Sequence, residues 1–431
     1  MISFARSLLV GVVLLVLGTV VVPGAHAQDA MHAEHAGERS HSIFDEGDLV
    51  AVIGNAFTVR AQRFPYIETL LSARLPQHEL RFRYLGRSGD EVALRPRPLN
   101  FGTLHTHLRD VEPDVIVACF GMNEAYKGLD HLGSFRRNLS TFADSLRTTA
   151  YNGDAPPEVV LISPIAHEDL KGVAADVEAH NESLAAYSEA MANYAAQHDN
   201  VWAVDLYHPT KEIMESPDAP TLTTNGIHLS EYGYWVVSPI VGEALNLGGG
   251  PLRIVLDAGP EEAVGDATPV YNVVPEGPGT AFRVSQVARP LPPPPNGQTS
   301  PRSLAPVVEI RNLPRGSHVL EVEGEAVAEA DSAAWARGVR VDLQQTALRS
   351  VYEQVAQKNQ AWFYRYRAVN GEYIYGRRKT PFGVNNFPGE FRRLEMTVES
   401  TEHRVWSDLK DLLYLRWRIR AGSSPSAASL Q

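Results

Sequence analysis

From Leu49 to Leu247 the chain alternates short, nearly continuous apolar runs with longer stretches in which apolar residues recur at helical spacing. The runs Leu49 to Ile53, Leu80 to Tyr84, Asp114 to Phe120, Glu158 to Ile162 and Val201 to Leu206 predict strands. Helices are predicted over Ala61 to Ala73, Leu132 to Thr148 and Ala174 to Gln197, and a last one after Ser230. Strands that are apolar on both faces and separated by helices are the pattern of a parallel sheet covered on both sides. The expectation is an α/β fold, a three-layer α/β/α domain over 48–248, with ligands at the carboxyl ends of the strands.

Beyond Gly250 the helical pattern stops, and β-like runs appear at Leu252 to Leu256, Val307 to Ile310 and His318 to Val322. These predict a small β-rich unit over 251–342, interrupted by the Pro-rich loop Arg289 to Pro295, which lacks the donors and flexibility of a core. A helical C-terminal segment is expected over 343–420, with helices at Gln344 to Lys358 and Glu390 to Leu413. Between them, Trp362 to Tyr375 is aromatic and basic. Such a run packs one domain on another more often than it stacks on sugar rings. The Ser/Ala-rich tail 421–431 reads as disordered.

The start of the chain belongs to neither pattern. Arg6 precedes an apolar run from Leu8 to Val22 and then Ala25-His26-Ala27, the layout of a signal peptide over 1–27. The run is short of the roughly 20 residues of a membrane span. A secreted or periplasmic protein without a stable span is therefore expected, with 28–47 as a flexible linker. His32, His35 and His41 lie in that linker near Glu34 and Asp45, but a solvated segment is the plainer reading and no metal site is expected. Cys119 is the sole cysteine, so no internal disulfide can form. Hydrophobic residues make up 44% of the chain, enough for a folded body, and the net charge of −12 argues against nucleic acid as a partner.

Four short blocks carry the candidate chemistry: Gly54-Asn55-Ala56, Leu85-Gly86-Arg87-Ser88-Gly89-Asp90, Gly121-Met122-Asn123-Glu124 and Asn225-Gly226-Ile227-His228-Leu229. The first three follow the first three predicted strands, and the fourth opens the final helix. In order and spacing they resemble the blocks of the SGNH/GDSL hydrolase superfamily, from Asp48 to Leu247. A closer resemblance is to a secreted bacterial subgroup with Gly-Asn in the first block, Ser-Gly-Asp-Glu-Val followed by Arg-Pro-Arg (here within Ser88 to Pro98), and Ile-Ala-His-Glu (Ile165 to Glu168).

The resemblance implies a flavodoxin-like parallel sheet and hydrolysis of ester bonds, acyl or acetyl esters of carbohydrates among them, with no cofactor. It also implies roles. Gly86 and Asn123 match the oxyanion hole and His228 the base. Ala56 stands at the serine nucleophile, Asn55 replaces the Asp of that block, and Asn225 replaces the acid that orients the His. In a triad enzyme, loss of the serine costs roughly 10⁶ in turnover and an Asp-to-Asn change roughly 10⁴.

Two rescues are open: Ser88 as a relocated nucleophile, or a water activated by His228. Thr58 lies further into the helix start and points elsewhere. The rival reading is a degenerate SGNH-fold protein that binds a glycan or other small ligand with Asn123, Gly86 and His228. His167 could serve as a second acid or base on the same rim, and Arg95 and Arg97 could clamp an anionic group. Glu124 is expected to support loop geometry. The oligomeric state is not legible.

Overall fold

A computed structural model describes residues 42–97, 101–172, 176–217, 220–247, 253–258, 273–275, 280–285, 307–341, 346–368, 388–411 and 414–422, with Pro294, Pro295 and Gln298. The signal-peptide reading, most of the linker, most of the Pro-rich loop and the tail beyond 422 lie outside these residues.

Five strands, β1 (Leu49–Gly54), β2 (Arg81–Tyr84), β3 (Val115–Cys119), β4 (Glu158–Ile162) and β5 (Val201–Val204), form one sheet in the order β2-β1-β3-β4-β5. All four pairings are parallel. Strands β1 and β3 are buried along their whole length, as their unbroken apolar sequences require. The order reverses between β1 and β3, and a doubly wound sheet opens its ligand crevice at such a switch point. Gly54 pairs with Cys119 there, so the ends of both strands deliver their blocks to that crevice.

The helices correct the sequence reading in places. The stretch expected as one helix is two, α1 (Ala56–Arg63) and α2 (Tyr66–Arg74), because Pro65 lacks an N–H and restrains Phe64. Helices α3 (Leu104–Val111), the one-turn α4 (Met122–Ala125), α5 (Leu132–Arg147), α6 (Val177–Ala195), α7 (Tyr207–Glu215) and α8 (Glu231–Ala244) follow. Neither α3 nor α7 is among the expected elements. Ile43 and Phe44, in the stretch read as linker, are buried in the core.

The remainder holds two further sheets. Strands β6 (Arg253–Asp257), β9 (Val307–Arg311) and β12 (Val339–Arg340) form one. Strands β7 (Val273–Pro275), β8 (Thr280–Ser285), β10 (Ser317–Val322), β11 (Glu325–Asp331) and β13 (Tyr414–Ala421) form the other, antiparallel throughout. Strand β13 lies between β10 and β8, although its residues belong to the segment read as helical. Trp417 and Ile419 from it are buried with Leu320 and with Trp335 of the short helix α9 (Ser332–Arg337).

Two long helices, α10 (Thr346–Ala368) and α11 (Pro388–Asp411), explain how the open edge of the main sheet is closed. Strand β2 is an edge strand, so alternate carbonyls face outward without a strand partner. Side-chain donors from the two helices take them: Trp406 Nε1 donates to Leu80 O (3.3 Å), Lys358 Nζ to Phe82 O (3.4 Å) and Trp362 Nε1 to Tyr84 O (2.8 Å). Tyr366 Oη donates to Leu85 O (3.0 Å) just past the strand. The aromatic run up to Tyr366 is thus a sheet-edge cover. Lys358 also pairs with Glu68 of α2 at 2.5 Å, and Asn359 Nδ2 donates to the other oxygen of that carboxylate at 2.8 Å. Arg83 forks onto Glu402 at 2.6 and 3.2 Å. No described helix is long and apolar enough to cross a membrane.

Candidate active site

The first block is shaped by close approach of β1 to β3. A Cβ on Gly54 would lie 2.2 Å from Cys119 O, and its φ of +140° is one that side chains rarely adopt. Asn55 N donates to Cys119 O at 3.3 Å, and Asn55 Oδ1 accepts Phe57 N at 3.0 Å, which caps α1. Asn and Asp cap equally well, so the helix start survives the replacement. Ala56 opens the helix with a methyl group that can neither attack nor transfer a proton. Its backbone N–H, at the first helical position, has no carbonyl within the helix to bond. Thr58 is fully buried and donates to Ile53 O at 3.1 Å, so it is structural. Burial pushes the neighbouring Cys119 thiol up to about 12, which leaves it inert.

Gly86 packs against Thr58 so closely that a Cβ would lie 2.5 Å from Thr58 Cγ2. Arg87 N donates to Gly54 O at 2.9 Å, locking the second block to the first. Among the described residues, Gly86 N–H donates no hydrogen bond, which leaves it for a ligand. Ser88 is exposed on a turn closed by Asp90 N to Arg87 O at 3.1 Å, and no hydrogen bond joins it to His228. The third block is stapled to this turn. Glu124, buried, accepts Val92 N at 2.8 Å and Gly121 N at 2.9 Å, while Asn123 Nδ2 donates to Asp90 O at 3.1 Å. One proton of the Asn123 amide is spent there and the second is available. Burial raises the Glu124 carboxyl above the ordinary range although both amides oppose the shift.

The histidine block is a loop held from below. Glu168 accepts Leu222 N at 2.9 Å, Thr223 N at 2.8 Å and Thr223 Oγ1 at 2.5 Å. Gly226 N donates back to Thr223 Oγ1 at 2.9 Å, and Arg60 Nε of α1 donates to Leu229 O at 2.9 Å. Glu168 and Arg60 are thus positioning residues. Glu168 stands in the Ile165 to Glu168 motif, where no role is legible without the loop. Arg60 sits four residues after Ala56, a helical spacing that is the one sequence hint of its place on the same face as the block.

Asn225 decides what His228 can do. Its Oδ1 accepts His228 N at 3.0 Å and Ile227 N at 3.4 Å, so the atom 3.0 Å from His228 Nδ1 is Nδ2. An amide nitrogen can only donate, which makes Nδ1 the acceptor and puts the ring proton on Nε2. A base needs the opposite tautomer, the one an Asp at this position enforces. Burial, and then the Arg60 charge, hold the ring below its ordinary pKa, so it is neutral at pH 7.

The remaining candidates fall elsewhere. His167 is buried, not on the rim. Its Nδ1 lies 2.9 Å from His180 Nδ1, and its ring fills the space a Cβ on Gly226 would need. Burial lowers it, and burial with the His167 neighbour takes His180 to about 4. Arg97 forks onto Asp90 with both distances 2.7 Å, and Arg95 donates to Glu91 O and Val92 O and stacks on Phe142. Neither is the free clamp expected, because the loop turns both guanidiniums inward. No cluster of His, Cys, Asp or Glu among the described residues is arranged for a metal.

Residues 53–236 match the family model described as GDSL-like lipase/acylhydrolase. This domain belongs to the SGNH/GDSL superfamily. Its family is one of ester-acting hydrolases. A solved structure described as a gut microbial diltiazem-metabolizing enzyme is 15% identical and superimposes with a TM-score of 0.64 over 90% of this chain and 100% of its own. That likeness extends the shared fold beyond the SGNH domain. An acetyl xylan esterase (18% identity, TM-score 0.33) covers 46% of this chain and 98% of its own, and an extracellular lipase from Streptomyces rimosus (14%, 0.31) covers 46% and 100%. No curated protein matches the sequence.

Proposed function

We propose that this SGNH domain recognises an ester-bearing ligand, such as an acyl or acetyl ester of a carbohydrate, outside the cytoplasm, and that it does so without the superfamily's acyl-enzyme. The observation that carries the reading is the Asn225 to His228 hydrogen bond, in a block that Arg60 ties to the helix Ala56 opens. It turns the histidine into a donor, in a chain with Ala56 where the resemblance sets the nucleophile. The groups left at the strand ends are then the Ala56 and Gly86 N–H groups, the second Asn123 amide proton and His228 Nε2–H. All are donors, and an ester carbonyl is an acceptor. Replacing serine by alanine removes a hydroxyl but not a backbone N–H, so carbonyl recognition outlives catalysis. Arg6, the apolar run to Val22 and Ala25-His26-Ala27 support the extracytoplasmic setting.

Superfamily membership favours one second reading, hydrolysis by a water that His228 activates. That route requires Asn225 to flip its amide and give up the bonds from His228 N and Ile227 N. One experiment separates the two. The mature chain is assayed for turnover of short acyl esters and acetylated sugars, and for the rise in melting temperature that each ligand causes. A rise that Asn123→Ala erases, with turnover no more than about 10³ over water, is the expected result. Efficient turnover abolished by His228→Ala would establish the hydrolase instead. Labelling of Ser88 by a fluorophosphonate on the folded protein would overturn both.

A further inference from the structure

Beside the Asn123 turn, side chains from two distant parts of the chain bring together more positive charge than they neutralise. Arg367 lies within the charge of both Arg87 and Arg97, with Asp90 and Tyr366 acting in the opposite sense. Asp90 is already committed to Arg97 through both oxygens. Arg87 lies with Cζ 4.1 Å from the Phe101 ring centroid and 5.8 Å from that of Tyr366. Arg367 lies 5.3 Å from the Phe363 ring. Aromatic faces hold guanidiniums in place but do not discharge them.

Some guanidinium nitrogens in this cluster are also left over: Arg87 Nε and Nη2 and Arg97 Nε are buried without a hydrogen-bond partner. His107 is 6% exposed, and its ring lies 4.5 Å from Phe101 and 5.4 Å from Tyr366. Buried polar groups are ordinarily paired, and uncompensated like charges cost stability, so several failures at one place need a cause. Neither expense stabilises the free protein. Arg87 and Arg367 are half-buried and keep an exposed edge.

We propose that this cluster binds an oxyanion, a carboxylate, sulfate or phosphate, carried by the same ligand whose ester meets Asn123 and His228. The link is short: Asp90 takes Arg97 on its side chain and Asn123 on its backbone carbonyl. The ligand is then an acylated acid rather than a neutral ester, and Arg87 with Arg367 sets the preference. This rests on the ester-recognition reading for the ligand's other end, but the anion subsite is testable without it.

The full mature chain is titrated with sulfate, phosphate and galacturonate at constant ionic strength, with chloride as reference, while its melting temperature is followed. Saturable stabilisation by at least one is expected, weakened about ten-fold or more by Arg87→Gln and by Arg367→Gln, since each removes a charged donor. Arg367→Gln should also melt higher than the parent without added anion, because it relieves repulsion. That second reading keeps the test decisive if Arg87→Gln does not fold. No saturable stabilisation, equal stabilisation of parent and Arg367→Gln, or no difference from chloride would overturn the subsite. If anions bind and no ester does, the subsite stands and the ester reading falls; if neutral acetylated sugars bind with no effect of either variant, the reverse holds.

Discussion

Ala56→Ser and Asn225→Asp together are expected to give this chain ester hydrolysis that neither replacement gives alone. On the proposed reading Gly86, Asn123 and the loop that carries His228 remain, and Ala56 and Asn225 stand where the superfamily has its nucleophile and the group that sets the histidine tautomer. With Ala56→Ser alone, Nε2 still carries the proton and cannot accept one from the new hydroxyl. In a triad enzyme the same Asp-to-Asn difference is worth roughly 10⁴ in turnover, so the double variant should exceed Ala56→Ser by about that factor. Asn225→Asp alone supplies a base without a nucleophile, and should stay near the parent. The aspartate keeps an oxygen for His228 N and Ile227 N, so the loop itself should not move. A short-chain nitrophenyl ester assay checks all three, and adding His228→Ala to the double variant should return it to background. Equal rates for Ala56→Ser with and without Asn225→Asp would show that the tautomer is not the obstacle.

The largest effect on stability is expected at Lys358. Its ammonium is 1% exposed, paired with Glu68 at 2.5 Å, near Glu402 at 3.9 Å and donating to Phe82 O. Lys358→Ala leaves the buried Glu68 carboxylate, 4% exposed, without its cation, and removes the more distant of the two cations beside Glu402, which Arg83 still holds. Breaking a buried pair from one side costs about 3–5 kcal/mol. The loss should appear as a lower denaturant midpoint. Lys358→Met with Glu68→Met should recover much of it, because replacing both charges leaves fewer of them stranded. A midpoint for Lys358→Ala equal to the parent would mean that α10 does not hold the sheet edge.

Much of the core fold was legible because its signal is local. Five apolar runs and the helices between them follow from periodicity, and no strand end observed differs from the one expected by more than two residues. The errors have specific physics. Pro65 divides a periodic stretch that otherwise reads as one helix. The start of α3 carries a usable sign, Thr103 accepting Thr106 N at 3.2 Å as its cap, but the helix is short and rich in His and Arg. Strand β13 alternates Leu, Trp and Ile with arginines, a period of two that was masked by the long helix before it.

At the site, Ala56 and Asn225 could be read directly, since the resemblance sets them where the superfamily has its nucleophile and acid. The consequence for His228 could not. It depends on which atom of the Asn225 amide faces the ring, and two backbone N–H groups decide that. Arg95 and Arg97 looked like a clamp because they are adjacent and basic. The partner that turns Arg97 inward, Asp90, lies seven residues away, across the turn closed between Glu91 and Leu94. Arg87 and Arg367 are 280 residues apart, and no pattern in the sequence brings them together.

Asn225 holds His228 as an Nε2 donor. The ring ¹⁵N spectrum of the labelled protein at pH 7, with the His228 signal assigned from a His228→Gln sample, tests it directly. A neutral ring with its proton on Nε2 and an unprotonated Nδ1 is expected, changing to Nδ1–H in Asn225→Asp. A neutral ring already protonated on Nδ1 in the parent would contradict it and would restore His228 as a base.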